Sequence, residues 1–436
     1  MPIESIADSA TPYYLIAFDE RSTERPGESG GLMSQQVESA LKEQPITDVF
    51  FLSHGWRGDI PAAQTQYVRW IKAMSDCSAD LARVQEVRRG FLPLLIGLHW
   101  PSEPWGDESF DSAPAFGVTG DDPTQELINE IAAKTVDTPA ARAAIETIVR
   151  VAQVDNNPPN LTPEVRDAYQ ILDRETGLGH DGATARPGDD REAFDAESLY
   201  EQSRSDAINF SGWTDGILAP FRVLSFWKMK DRARQFGESA AHQLLVEFMN
   251  VSAGKDVRFH LMGHSFGCIV ASAAVTGTAG SRLPRPVDSV ALVQGALSLW
   301  SYCSEIPTAP GTPGYFRRIV EEKLVRGPFI TTQSTFDRAV GTWYPWAAGA
   351  MNQVNFAPQD LPEYGAVGAF GIQGPETASE SCIILRPDHS YGFKTGKIYN
   401  IDCSGVINVG GGFSGAHSDI AKPEVAHVVW EAVMTQ

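Results

Sequence analysis

Seven short apolar, β-rich runs, separated by helical patterns, constrain this chain more than any other feature of its sequence. They are Tyr13 to Phe18, Asp48 to Ser53, Leu92 to His99, Val257 to Met262, Ser289 to Gln294, Phe329 to Thr332 and Lys397 to Asp402. Such runs, bounded by turn residues and alternating with amphipathic helices, predict an α/β fold with a mostly parallel central sheet flanked by helices. Between the second and third runs, "DIPAAQTQYVRWIKAM" carries Asp59 as a cap, Pro61 in the first turn, and Tyr67, Trp70, Ile71 and Met74 at helical spacing. Ala241, Leu244, Leu245, Phe248 and Met249 repeat that pattern ahead of Val257, and "KPEVAHVVWEAVM" closes the chain with another helix.

The alternation breaks in the middle. Residues 106–235 mix helical pieces ("TQELINEIAAKTV", "PAARAAIETIVRVAQV", "PEVRDAYQIL") with "GLGHDGATARPGDDRE", a polar tract with Gly and Pro that predicts loop or disorder. Sheet strands lie on both sides of it. The expected organisation is therefore a core of residues 1–105 and 236–436 with an inserted, mainly helical cap at 106–235. Charge marks the same segment: of a formal net charge of -20, the stretch from Gly106 to Asp215, with 23 acidic and 8 basic residues, holds -15. A field of that sign repels phosphate backbones and anionic lipid surfaces, which argues against nucleic acid as a partner and against polyanionic substrates. Most of these carboxylates are expected on a solvated surface.

At 436 residues the chain is long enough to bury a sizeable core. No apolar run approaches a membrane span, and no basic region precedes an apolar one in the stretch from Met1 to Asp19. The expectation is a cytoplasmic chain without stable membrane insertion. Five cysteines (Cys77, Cys268, Cys303, Cys382 and Cys403) make an odd count without C-x-x-C spacing, which speaks against a disulfide framework and a zinc site. Cys382 and Cys403 could meet across paired strands, with two buried thiols as the simpler reading. Metal ligation by His54 and Asp59 lacks a supporting cluster, so neither metal nor cofactor is expected.

One stretch, "HLMGHSFGCIVASAAV", bears on chemistry. Gly263-His264-Ser265-Phe266-Gly267 has the form G-x-S-x-G, a weak signal alone. Its context strengthens it: an apolar strand precedes it, and small apolar residues able to pack close to a sheet follow it as a helix. That is the strand, sharp turn and helix of a nucleophile elbow, in which flanking glycines relieve crowding and the serine projects its oxygen. A second pattern, Gly410-x-Gly412-x-x-Gly415, fits G-x-G-x-x-G but opens no helix and has no dinucleotide-binding context, so it reads as a flexible approach to the histidine after it.

On these residues the chain resembles the α/β-hydrolase superfamily, in particular its serine esterases and lipases; "FWKMKDRARQFG" resembles bacterial members. The resemblance covers the chain outside residues 106–235. It implies the order serine, acid, histidine, with the acid on a loop after a later strand and the histidine near the C-terminus. Asp337, a few residues past the Phe329 to Thr332 strand, is the leading acid. Glu305 is the alternative, and Asp288 precedes its strand and would lie at the wrong end of the sheet. His417, in the Gly-rich loop ahead of the terminal helix, is the expected base, while His389 and His427 look structural and Asp419 serves as a local cap. The resemblance also implies an oxyanion hole built from the N–H groups of Phe266 and Trp56, with Gly55 permitting the turn and His54 bracing it.

The implied activity is two-step acyl transfer on a small-molecule ester with an apolar acyl part. Ser265 would be the nucleophile, His417 the base, Asp337 its orienting acid. Aromatics at Trp100, Trp105, Phe110, Phe116, Trp213, Phe221, Phe226, Trp227, Trp343 and Trp346 would suit an acyl pocket or, for about half of them, simply the core. A serine peptidase or amidase, an acyltransferase, and a non-catalytic binding protein on the same fold are the alternatives.

Overall fold

The computed structural model describes residues 12–27, 30–56, 60–102, 123–179, 185–204, 216–347, 361–374, 379–412 and 414–435. Among them, eight strands form one sheet: β1 (Tyr13–Ala17), β2 (Asp48–Ser53), β3 (Pro93–His99), β4 (Arg258–His264), β5 (Ser289–Val293), β6 (Phe329–Gln333), β7 (Ser379–Ile383) and β8 (Ile398–Asp402). Their order is β1-β3-β2-β4-β5-β6-β8-β7, and every pairing is parallel. The predicted α/β class is observed, and each of the seven expected runs is a strand within two residues of its predicted ends. β7 escaped the sequence reading. It is an edge strand of sequence SESCI, largely exposed and without apolar alternation.

Helices α1 (Met33–Glu43), α2 (Ile60–Asp76), α3 (Ser78–Val87), α4 (Pro123–Lys134), α5 (Pro139–Val154), α6 (Pro163–Thr176), α7 (Ala196–Arg204), α8 (Ala219–Phe236), α9 (His242–Val251) and α10 (Gly267–Thr276) precede three short helices, α11 (Arg317–Glu321), α12 (Tyr344–Ala347) and α13 (Val367–Phe370), and the terminal α14 (Pro423–Met434). In α2 the residues at helical spacing, Tyr67, Trp70, Ile71 and Met74, are buried as expected; Asp59 lies outside the described residues. With α3 and α14 they cover one face of the sheet, where Phe50 and Leu52 of β2 meet Trp430 and Val429. The intervening Phe51 points to the opposite face and packs on Phe248 of α9, the alternation that a strand buried on both sides requires.

The chain divides into two compact units. One comprises residues 1–101, 183–187 and 233–436, and contains the sheet; the other comprises 102–182 and 188–232. The second unit has its own apolar core, in which Ile145 and Ile148 of α5, Val165 and Tyr169 of α6, Tyr200 of α7 and Phe221 of α8 are all buried. α5 and α6 begin as the Thr-Pro pairs of the sequence dictate: Thr138 and Thr162 accept from Ala141 N–H and Val165 N–H, with proline in the first turn. Not all of its acidity is solvated. Asp190 is buried against Lys230 at 2.6 Å, and Asp173 holds the buried Arg191 at 2.7 Å. Burial pulls the Lys230 ammonium down to about 8 despite Asp190.

The amino edge of the sheet is tied by charge. Asp48, at the start of β2, is fully buried, bonded to Arg88 Nε at 2.7 Å and His260 Nε2 at 3.1 Å. Burial alone would raise this carboxyl, but His260, Thr47 and Arg88 outweigh it and hold it below its ordinary value. No helix among the described residues is long and apolar enough to cross a membrane. Replacing Arg88 by Met should leave the Asp48 carboxylate buried with too few donors, at a cost of about 3 to 5 kcal/mol in urea-unfolding free energy. A loss under ~1 kcal/mol would show that the pair is not needed there.

Candidate active site

In a parallel sheet all carboxyl ends share one edge, and the register here aligns them in a row. Ser53, Gly263, Leu292, Thr331 and Asn400 are successive neighbours across β2, β4, β5, β6 and β8. Two residues beyond that row stand Gly55, Ser265 and Gln294, each at the start of a turn. Ser265 is therefore presented near the middle of the sheet, at the edge where ligands of such folds bind.

The turn at Ser265 is forced. Its φ is +55°, a left-handed conformation that a residue with a side chain rarely adopts. Its backbone is nonetheless well bonded: the N–H donates to Val293 O at 3.2 Å and the carbonyl accepts from Cys268 and Ala296 N–H at 3.1 and 3.2 Å. The neighbours must be glycine for reasons of space. A Cβ at Gly263 would lie 2.2 Å from Gly267 O, one at Gly267 2.2 Å from Ser53 O, and one at Gly55 2.6 Å from Ser265 Cβ. So β4, α10 and the loop after β2 close on one another around the serine, which is 6% exposed.

Asp337 and His417 come together at this edge. Asp337 Oδ2 accepts from His417 Nδ1 at 2.7 Å, with Asp337 buried and the imidazole half-buried. Their loops are joined through the backbone: Asp337 and Gly415 form an antiparallel bridge, Ala416 N–H donates to Phe336 O at 3.0 Å and Arg338 N–H to Ser414 O at 3.2 Å. Two glycines of this loop answer to close packing, since a Cβ at Gly410 would lie 1.9 Å from Gly415 O and one at Gly415 2.4 Å from Phe336 O, whereas Gly411 and Gly412 face open space. Asp419 accepts from Val409 N–H at 2.9 Å and pairs with Lys422 at 2.8 Å, so it braces the same loop.

His264 links the elbow to that loop. Its Nε2 donates to His417 O at 2.9 Å, and the two rings lie 4.8 Å apart. Among the described residues no hydrogen bond joins Ser265 Oγ to the His417 imidazole; the tie between the elbow and the His417 loop runs through His264, the residue before the serine. Glu305, the alternative acid, accepts from Gly311 N–H at 2.9 Å in its own exposed turn. Asp288 precedes β5 and bonds Phe259 N–H at 2.8 Å, at the opposite edge.

The loop after β2 is held by neutral histidine. His54 N–H donates to the Tyr67 hydroxyl at 2.9 Å, and that hydroxyl donates to Leu98 O. His54 Nδ1 donates to Gly55 O at 2.7 Å, which leaves Nε2 to accept from His99 Nδ1 at 3.2 Å and Trp100 N–H at 3.4 Å. Burial, and then the nearby His99, pull His54 down to about 3; burial, and then Arg25, pull His99 down to about 4. Trp56 follows, its ring 5.6 Å from that of Phe266, so the side chains of the two residues expected to offer oxyanion N–H groups pack on each other.

Gln294 was missed by the sequence reading. It is fully buried at the end of β5, has φ +48°, and donates through Nε2 to Asp337 Oδ2 at 2.8 Å. A single glutamine at the end of an apolar run carries no periodic signal that could have revealed it. The aromatic reading needs division. Trp100, Phe221, Phe226 and Trp227 are core, Trp100 stacking on His54 at 5.6 Å. Trp105, Phe110, Phe116 and Trp213 lie outside the described residues, and the side chains of Trp343 and Trp346 are likewise not described.

All five cysteines are free thiols. One group among the described residues has donors suited to a metal, Asp80, His427 and Glu431. Arg83 already bridges its two carboxylates, at 2.5 and 2.8 Å, while the His427 nitrogens face Asp80 Oδ1 at 2.9 Å and His389 O at 2.6 Å. A cation occupies the place a metal would take, and the group ties α3 to α14. In comparisons with family models, with curated proteins and with solved structures, nothing matches the chain.

His54 and His99 should couple stability to pH. Both stay neutral in the fold, whereas in the unfolded chain both would protonate below the ordinary 6.5. Their contribution is therefore complete above about pH 6.5 and shrinks as the pH falls toward 4, by roughly 1.4 kcal/mol per pH unit for each group. Urea unfolding between pH 4.5 and 8 should show this slope, and His99→Gln should flatten it; an unaltered slope in the variant would refute the assignment.

Proposed function

We propose that the chain is a serine hydrolase of the α/β-hydrolase type that cleaves carboxylic esters through an acyl-enzyme intermediate. The observation that carries this reading is the 2.7 Å pairing of Asp337 with His417 at the sheet edge where Ser265 sits in a left-handed strand-to-helix turn. In the proposed cycle the Ser265 hydroxyl attacks the ester carbonyl while His417 Nε2 takes its proton. Asp337 holds the Nδ1–H, fixing the tautomer that leaves Nε2 free to do so. The N–H groups of Phe266 and Trp56 receive the developing oxyanion, aided by the N-terminus of α10. His417 then returns the proton to the leaving alcohol, and water repeats the sequence on the acyl-enzyme to release the acid.

Two further features support it. His54 holds the oxyanion loop through the backbone as a neutral group, so its imidazole does not compete for the proton. The helical unit of residues 102–182 and 188–232 is read as the counterpart of the cap that many such enzymes insert between sheet strands. Esters are the favoured class because an alkoxide leaves with less assistance than an amine.

A fluorophosphonate should label the wild-type chain once, at Ser265, and Ser265→Ala should remove labelling without changing the thermal midpoint. Asp337→Asn should lower kcat on p-nitrophenyl esters by roughly 10²- to 10⁴-fold, since the imidazole loses its fixed tautomer. Stoichiometric labelling of the Ser265→Ala chain would end the proposal.

A further inference from the structure

We propose that Gln294 is a positioning residue for this site: its carboxamide holds the Asp337 carboxylate in the orientation that pairs with His417. The inference rests on the serine hydrolase reading and adds to it a fourth member, one that touches neither substrate nor the attacking oxygen. Its geometry is a closed hydrogen-bond inventory. Gln294 Nε2 donates to Asp337 Oδ2 at 2.8 Å and to Gly368 O at 3.2 Å, which uses both of its hydrogens. Oε1 accepts from Thr332 Oγ1 at 3.0 Å, and Thr332 Oγ1 in turn accepts from Gln294 N–H at 3.0 Å. The amide cannot be turned over, because that would set Oε1 against a carboxylate and a carbonyl, neither of which has a proton to give.

The oxygen chosen matters. Oδ2 is the atom that also takes the His417 Nδ1–H, while Oδ1 accepts from Val340 N–H at 3.2 Å. Gln294 thus caps the reactive side of the carboxylate from behind, leaving the imidazole one direction of approach. It also moderates that oxygen: a second donor shares its charge, so the pull on the Nδ1–H is weaker than a single-donor carboxylate would exert. The side chain is in turn fixed by its backbone. Gln294 has φ +48°, and the segment before and through α13 is packed against it so closely that a Cβ at Gly368 would lie 2.6 Å from Gln294 C. A strained, fully buried glutamine in such a place is hard to explain by packing alone, since an apolar residue would fill the space without needing the three partners that the Gln294 side chain has.

Gln294→Met keeps the volume and removes the donors. In the full-length chain it should lower kcat on a p-nitrophenyl ester by roughly 10- to 100-fold with KM within about twofold. It should also move the acidic limb of the kcat/KM profile to higher pH, because Asp337, relieved of one donor, stabilises the protonated imidazole more strongly. Thr332→Val, which frees Oε1 without touching Asp337, should shift the limb the same way by less. The low-field Nδ1 proton signal of His417, followed by NMR, needs no turnover and should move in Gln294→Met. A folded Gln294→Met chain with an unchanged limb and an unchanged Nδ1 signal would overturn the inference, even with wild type labelled at Ser265. If wild type is not labelled there, the hydrolase reading falls, and the Nδ1 signal still decides whether Gln294 holds the pair.

Discussion

The site depends on how closely three backbone segments approach one another around a single left-handed residue. Ser265 can hold φ +55° only because its strain is opposed by bonds on both sides, from Val293, Cys268 and Ala296, and because no side chain at Gly263, Gly267 or Gly55 interferes. Each of these glycines answers to a different neighbour: Gly263 to the first turn of α10, Gly267 to the end of β2, Gly55 to the serine itself. Steric demand thereby converts a five-residue pattern into a three-dimensional requirement. It also brings the loop after β2 against the elbow, whatever chemistry the serine performs.

The parallel sheet then sorts the polar residues of the core by edge. At the amino edge, Asp48 pairs with Arg88 and bonds His260, and Asp288 pairs with Arg285, contacts that join strand starts. At the carboxyl edge, Thr332 donates to Gln294 and Gln294 to Asp337, whose carboxylate also accepts from the His417 imidazole. Charges that only need neutralising can be paired in many ways. A carboxylate that takes two donors on one oxygen, as Asp337 Oδ2 does from Gln294 and His417, is fixed in orientation as well as in charge.

Much of this was legible from residue order. Strands buried on both faces write themselves as continuous apolar runs, which is why β1 to β6 and β8 could be placed; β7, half in solvent at the sheet edge, follows no such rule and was invisible. A turn pattern and chain order are enough to single out Ser265, Asp337 and His417; the structure pairs the last two and puts the first in a left-handed turn. Gln294 is not singled out, since its role depends on β5 and β6 being neighbours and on which atom of Asp337 it meets. The polar tract after Gly177 is irregular backbone where it is described, in keeping with its composition, but composition does not show that Asp190 and Arg191 are buried, their desolvation offset by ion pairing with Lys230 and Asp173.

Three histidines at the carboxyl edge show why residue type is not enough to assign a role. His54 spends Nδ1 on Gly55 O and Nε2 on donors from His99 and Trp100, so its neutral form satisfies every partner and a further proton would break two bonds. His264 gives its Nε2–H to the carbonyl of residue 417, and so steadies the backbone of the loop. Only His417 has one nitrogen bonded to a carboxylate while the other belongs to no bond among the described residues, the state in which an imidazole can accept a proton and have the resulting charge stabilised. A brace, a tie and a proposed base are thus distinguished by what each nitrogen already does. In the proposed reaction His54 would not intercept the serine proton, since both of its ring nitrogens are already engaged.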